Sequence, residues 1–85
     1  MTVVEKIESA GYDAVIIFEN PSYETAFVGV SHDERAVYDY DKMVEYLVTQ
    51  DGMTYEEAAD FIDYNTIRSL PYLQGSPIIV YGISE

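Results

Sequence analysis

The sequence contains no cysteine. This absence excludes disulfide bonds, cysteine-containing zinc sites and thiol nucleophiles within the chain. Small secreted domains usually depend on disulfides, so their absence favours an intracellular protein. Basic residues are also scarce, because four Lys and Arg stand against sixteen Asp and Glu, and the formal net charge is −12. Such a chain is repelled by nucleic acid and by anionic membranes, and its favoured partners are basic surfaces.

Long apolar runs are missing as well. The longest is Ala14–Phe18, which is far shorter than the ~20 residues that cross a bilayer. The first residues, Met1–Lys6, do not have the apolar stretch of a signal peptide. We therefore expect a cytoplasmic location without membrane association.

The length and the apolar content together predict one folded domain over residues 1–85. Hydrophobic residues make up 48% of the 85 positions, which is enough for a core and too many for a disordered chain. Nine of them are tyrosines. Because tyrosine carries a polar tip, part of this apolar content is expected at the surface or at an interface.

In the first half of the chain, the pattern predicts one helix followed by three strands. Thr2 begins a capping box, which predicts a helix over residues 3–10. Residues 13–18 are β-branched and apolar on both faces, as in a central strand. Strands are also predicted over 25–30, with Gly29 as a bulge, and over 36–38. The short turns between these strands predict antiparallel hairpins.

The second half changes to helical spacing. Asp39 or Asp41 can cap a helix that ends at Gly52. Thr54 and Glu57 form a second capping box before another helix.

The last predicted elements follow a break in that helix at residues 65–66. A short helical piece over 66–69 must end before Pro71. A final strand over 78–81 is expected beside the first strand. The order α-β-β-β-α-α-β predicts an α+β fold, with an antiparallel sheet of three to four strands packed against two to three helices.

The sequence offers little catalytic or metal-binding chemistry. His32, the single histidine, lies in a predicted polar turn rather than beside a nucleophile. Asp39 and Asp41 resemble the start of a calcium loop, but Met43 and Val44 stand where a further oxygen ligand and a glycine are needed. No phosphate-binding loop and no serine elbow is present. We expect no enzymatic activity, no metal and no cofactor.

The acids are concentrated in one part of the chain. Residues 33–63, which we call the acidic segment, hold ten acids against two bases, and ten minus two gives a net charge of −8. Glu56, Asp60 and Asp63 fall at i, i+4 and i+7 of the predicted helix, so successive charges are about 4.5–6 Å apart along its axis. Phosphates along one DNA strand have a comparable axial spacing of about 3.4 Å.

This row of carboxylates predicts a partner-binding surface that occupies a basic groove built for nucleic acid. Three further acids would extend it: Asp39, Asp41 and Glu45. The alternative is an ordinary solvated helix face, in which acids in the first turn favour the helix dipole. Both interpretations remain open from the sequence.

Tyrosines are interleaved with these acids. The acidic segment contains Tyr38, Tyr40, Tyr46 and Tyr55, and Tyr64 follows directly after it. A surface of Asp, Glu and Tyr suits arginine, which pairs with carboxylates and stacks on aromatic rings. Tyr64 is the predicted aromatic anchor, although some of the tyrosines must belong to the core.

Two polar residues after the acidic segment have predicted structural roles. Arg68 is expected to form an ion pair with a carboxylate or to bind the carbonyls at a helix C-terminus. Asn65 is expected to cap the helical piece over residues 66–69.

The chain from Tyr38 onward also resembles a known group of proteins. The resemblance is carried by residues 41–47, 52–58, 61–68 and 70–72, and the Tyr-Asn-Thr-Ile-Arg stretch at 64–68 is its most distinctive part. The chain is similar there to small acidic hypothetical proteins of phages and prophages of gut Firmicutes. That family has no assigned activity, so the resemblance implies a mobile-element setting and no site residues.

Two functions follow as expectations. The first is a non-enzymatic inhibitor of the anti-CRISPR or anti-restriction type, which mimics nucleic-acid charge and occupies a basic, nucleic-acid-binding surface of a host protein. It would bind no nucleic acid and no membrane itself. The second is a phage structural or adaptor module, for which a homodimer is an option, and in which the acids only provide solubility.

Overall fold

The structure is a computed structural model that describes residues 2–12, 14–19 and 21–83. Its helices and strands in chain order are α1 (Val3–Ser9), β1 (Phe27–Val30), β2 (Ala36–Asp39), α2 (Tyr40–Asp51), α3 (Tyr55–Phe61) and β3 (Ile78–Val80). Short 3₁₀ helices cover Glu24–Ala26 and Ile67–Tyr72, and a π-helical turn covers Ile62–Thr66. The predicted α+β class is confirmed.

The three strands form a mixed sheet in the order β1-β2-β3. β1 and β2 form an antiparallel hairpin, whose register shifts between Phe27 and Gly29, so the predicted bulge is confirmed. β3 pairs with β2 in parallel. The prediction of a wholly antiparallel sheet is therefore wrong, because the chain returns to β2 through a crossover that contains both α2 and α3.

The strand predicted over residues 13–18 is absent from its described part, residues 14–18, and Asp13 lies outside the described residues. The segment belongs to no ladder of the sheet. Its Phe18 N–H donates to the Tyr38 hydroxyl oxygen at 3.3 Å. The prediction of a last strand beside this segment is wrong, because β3 pairs with β2.

The predicted caps of the three α-helices are confirmed. The hydroxyls of Thr2 and Thr54 accept from the backbone N–H three residues later, and each capping box is complete. Asp39 rather than Asp41 caps α2, since its Oδ1 accepts from the Lys42 N–H at 3.2 Å. Gly52 ends α2 with φ of 68°, a conformation that glycine adopts without steric cost.

The segment after α3 differs from its prediction in two ways. Pro71 lies inside the 3₁₀ helix rather than beyond its end. The φ angle that proline imposes also suits a 3₁₀ helix, so a short one can contain it. Asn65 does not cap this helix, which begins after Thr66, and its side-chain N–H donates instead to the Phe61 carbonyl at 3.3 Å.

The core lies between the sheet and the helices. Its fully buried residues include Tyr23, Tyr38, Met43, Leu47 and Ile62. The two buried tyrosine hydroxyls have partners, because Tyr23 shares a hydrogen bond with the Thr66 hydroxyl at 3.0 Å and Tyr38 accepts from Phe18. Two aromatic side chains are therefore buried without orphaned polar groups.

Candidate partner-binding surface

The acids are almost all at the surface. Every described Asp and Glu is exposed except Asp39, which is half-buried. Within the described residues, the one ion pair joins Arg35 Nη1 to Asp33 Oδ2 at 3.8 Å. The negative charge is therefore displayed to solvent with very little neutralisation by the chain itself.

The predicted site residues on β2 and α2 have different environments. Asp39 uses its carboxylate to cap α2. Gly82, which follows β3, lies close to this carboxylate: a Cβ added to Gly82 would be 3.2 Å from Asp39 Oδ2. The chain after β3 therefore covers one side of Asp39. Asp41 and Glu45 are exposed and four residues apart in α2, on the same side of the helix. A partner can therefore reach both carboxylates.

The predicted row on the next helix is shorter than expected. Glu56 and Asp60 are exposed and four residues apart in α3. Asp63 is exposed but lies beyond α3, in the π-helical turn. Asp63 lies outside the α-helix, which ends at Phe61, because the turn that follows is π-helical and has a different period. Asp60 and Asp63 nevertheless line the same surface depression.

Asp63 instead contacts the start of α2. The Tyr40 hydroxyl donates to Asp63 Oδ1 at 3.1 Å, across 23 positions of sequence. The Tyr40 ring also packs on the Tyr81 ring, with centroids 4.8 Å apart. Sequence reasoning did not identify this cluster, since no local pattern relates residues so distant in the chain. It joins the start of α2 to the π-helical turn.

The Tyr40 hydroxyl is perturbed by these neighbours. Burial, the hydrogen bond to Asp63, and the charges of Asp63 and Asp41 together raise the pKa of Tyr40 to about 12. Burial also raises the pKa of Tyr23 and Tyr38. All three groups prefer to keep their protons in the folded chain.

The stability of the protein should therefore decrease in strongly alkaline solution. A tyrosine in the unfolded chain loses its proton near pH 10. The stabilisation of the fold by the protonated tyrosines is therefore complete below about pH 10. It is lost progressively as the pH rises towards the pKa of Tyr40 in the folded chain, about 12. Urea unfolding followed by circular dichroism at pH 9 and pH 11 measures this loss. Tyr40→Phe should reduce it, and an unchanged loss would contradict a special role for Tyr40. Tyr55→Phe, at an exposed tyrosine of α3, is the control.

The predicted anchor Tyr64 is exposed, with 68% of its surface accessible. The Arg68 guanidinium carbon lies 5.1 Å from the centre of its ring. Asp60, Asp63, Tyr64 and Arg68 line one shallow surface depression. The contact found for Arg68 is thus with an aromatic face, rather than the predicted ion pair or helix-end carbonyls.

The structure also assigns the other tyrosines of the acidic segment. Tyr38 is fully buried, Tyr40 and Tyr46 are half-buried, and Tyr55 is exposed. His32 is exposed. In the described ranges, no group of three or more acidic or histidine side chains is placed to hold a metal ion. No helix there has the length and apolarity of a membrane span.

No protein-family model, no curated protein and no solved structure matches this chain. The resemblance to phage and prophage proteins therefore stays a prediction, and the geometry above is the basis for a functional proposal.

Proposed function

We propose that this chain is a non-enzymatic binding protein of a mobile element, which occupies the basic, nucleic-acid-binding surface of a host protein. Its mode of action would be that of an anti-CRISPR or anti-restriction inhibitor, acting in the cytoplasm. The observation that carries the proposal is the display of charge. The described acids are exposed nearly without exception, and one ion pair is found among them.

Electrostatics supports a basic partner. A net charge of −12 on 85 residues exceeds the magnitude of about 2–8 that suffices for the solubility of a small domain. The mutual repulsion of these charges opposes folding, and a basic surface would relieve it. A nucleic-acid-binding groove carries such a surface, and the carboxylates of α2 and α3 would take the place of phosphates.

A structural or adaptor module remains the second candidate. Apolar side chains are exposed on both outer strands and just beyond β3, with accessible fractions of 61% for Val28, 37% for Val80 and 63% for Tyr81. An interface built on them would be apolar, with homodimerisation as one form, and the acids would only provide solubility. Such association would depend little on salt.

Affinity capture at two salt concentrations tests the proposal. The tagged protein is incubated with a Firmicute lysate at about 50 mM and about 500 mM salt, and bound proteins are identified by mass spectrometry. We expect to capture a DNA- or RNA-binding protein at low salt. This protein should be lost at high salt, because salt screens the charge contacts. The nucleic acid that it binds should also release it from the tagged chain. A partner that is retained equally at both salts and is indifferent to nucleic acid would instead support the module.

A further inference from the structure

Arg68 contacts the ring of Tyr64, and this contact indicates which kind of group the surface around Tyr64 suits. Its guanidinium lies over the Tyr64 ring at 5.1 Å, within the distance of a cation–π contact. Both residues are exposed. The chain therefore already contains one guanidinium over this ring, and both residues line a depression together with Asp60 and Asp63.

The groups around Tyr64 match arginine better than lysine. A guanidinium is planar, stacks on an aromatic face and can donate two parallel hydrogen bonds to a carboxylate, whereas an ammonium is a compact, strongly hydrated charge. Tyr64 provides the face. Asp60 and Asp63 provide carboxylates in the same depression.

Asp63 is held in place for this role. Its Oδ1 accepts from the Tyr40 hydroxyl at 3.1 Å, and Tyr40 is in turn packed on Tyr81. This bond uses one carboxylate oxygen, so Oδ2 can accept from a further donor. The carboxylate is thus oriented in the free chain, which lowers the entropic cost of binding.

We propose that Asp60, Asp63 and Tyr64, which we call the Tyr64 site, bind an arginine side chain of the partner, and that Arg68 covers the ring of this site in the free chain. The inference rests on the proposed function and names the residue type that its surface recognises. Arg68 is then an internal competitor, which the partner's arginine displaces.

Two peptides of equal charge, hexa-arginine and hexa-lysine, test the site directly in titrations at low salt. The wild-type chain should bind hexa-arginine more tightly than hexa-lysine. Arg68→Gln should raise the affinity for hexa-arginine by a factor of about two to five relative to the wild-type chain. This factor corresponds to the strength of one exposed cation–π contact. Lys42→Gln is the matched control, because it removes the same charge from an exposed position of α2. It should have the smaller effect.

A second pair of variants tests the ring itself. Tyr64→Leu should abolish the preference for arginine over lysine. Tyr55→Leu should retain it, although Tyr55 is similarly exposed, at 63% against 68%. Circular dichroism of each variant shows that the fold is kept.

The outcomes separate this inference from the proposed function. Equal effects of Arg68→Gln and Lys42→Gln, or a preference that survives Tyr64→Leu, would overturn the Tyr64 site. If both peptides bind equally and with a steep salt dependence, the site falls while the charge-based function stands. If neither peptide binds, both fall.

Discussion

Neutralising Glu56, Asp60 and Asp63 together, as Glu56→Gln, Asp60→Asn and Asp63→Asn, is expected to reduce affinity for the basic partner by up to about 100-fold. A carboxylate that faces a basic group at an exposed position contributes up to about 1 kcal/mol, and about 1.4 kcal/mol corresponds to a factor of ten in affinity. The amides keep the size of the side chains, and the Asp63→Asn change leaves an oxygen that can accept from the Tyr40 hydroxyl. Titration of the captured partner at low salt measures the loss.

A second triple variant separates the position of these charges from their number. Glu8, Glu19 and Glu24 are exposed acids outside the acidic segment, and changing them to Gln alters the net charge identically, from −12 to −9. This control should bind nearly as well as the wild-type chain. Equal losses in the two variants would mean that the partner senses only total charge, and unchanged binding in the first would exclude Glu56, Asp60 and Asp63 from the interface.

The largest expected effect on stability is that of Tyr38→Ala. Tyr38 lies in the central strand, is 0% exposed and packs against the rings of Phe18 and Phe27, with centroids at 4.7 and 5.6 Å. Removing a buried aromatic ring costs about 3–5 kcal/mol. Small domains have unfolding free energies of about 5–15 kcal/mol, so the variant should be unfolded in part or unfold at a much lower urea concentration. Urea unfolding followed by circular dichroism measures the change.

Two further variants divide this effect into its causes. Tyr38→Phe keeps the ring but removes the acceptor of the Phe18 N–H, which should cost about 1–3 kcal/mol. Tyr55→Ala, at an exposed position, should change the unfolding free energy by less than about 0.5 kcal/mol. A Tyr38→Ala variant as stable as the Tyr55→Ala control would contradict the placement of Tyr38 in the core.

Local signals in the sequence predicted local structure correctly. Thr2 and Thr54 begin helices because their capping boxes involve only residues three positions apart. Gly52 ends α2 for an equally local reason, its left-handed backbone. The hairpin of β1 and β2 follows from a short polar turn. These features depend on neighbours in the chain, which the sequence displays directly.

Features that depend on distant residues were predicted less well. The apolar run at 14–18 predicts a buried central strand, but its side chains are half-buried or exposed. Its Phe18 packs against Tyr38, and the segment joins no ladder. β3 was expected beside that run and is found in parallel with β2. Nothing local to Ile78–Val80 distinguishes the two neighbours.

The candidate site shows the same division. The exposure of Glu56 and Asp60 was predictable from their spacing opposite the apolar face of α3. The position of Asp63 was not predictable, because a π-helical turn of five residues is too short to produce a recognisable periodicity in the sequence. The contacts Tyr40–Asp63 and Arg68–Tyr64 became visible only in the folded chain.

The parallel pairing of β2 with β3 has a consequence for the order of folding. Val37 pairs with Ile78, a sequence separation of 78 minus 37, or 41 residues, and both α2 and α3 lie inside the loop that this contact closes. Closing a long loop costs chain entropy before the contacts inside it compensate, so such pairings form slowly and late. The two helices can form early from their own caps, whereas the surface that they build together is completed only when the last strand docks. A partner that binds only the completed surface would lower the rate at which that strand detaches. The kinetic stability of the chain would therefore increase with the fraction of the chain that is bound to its partner.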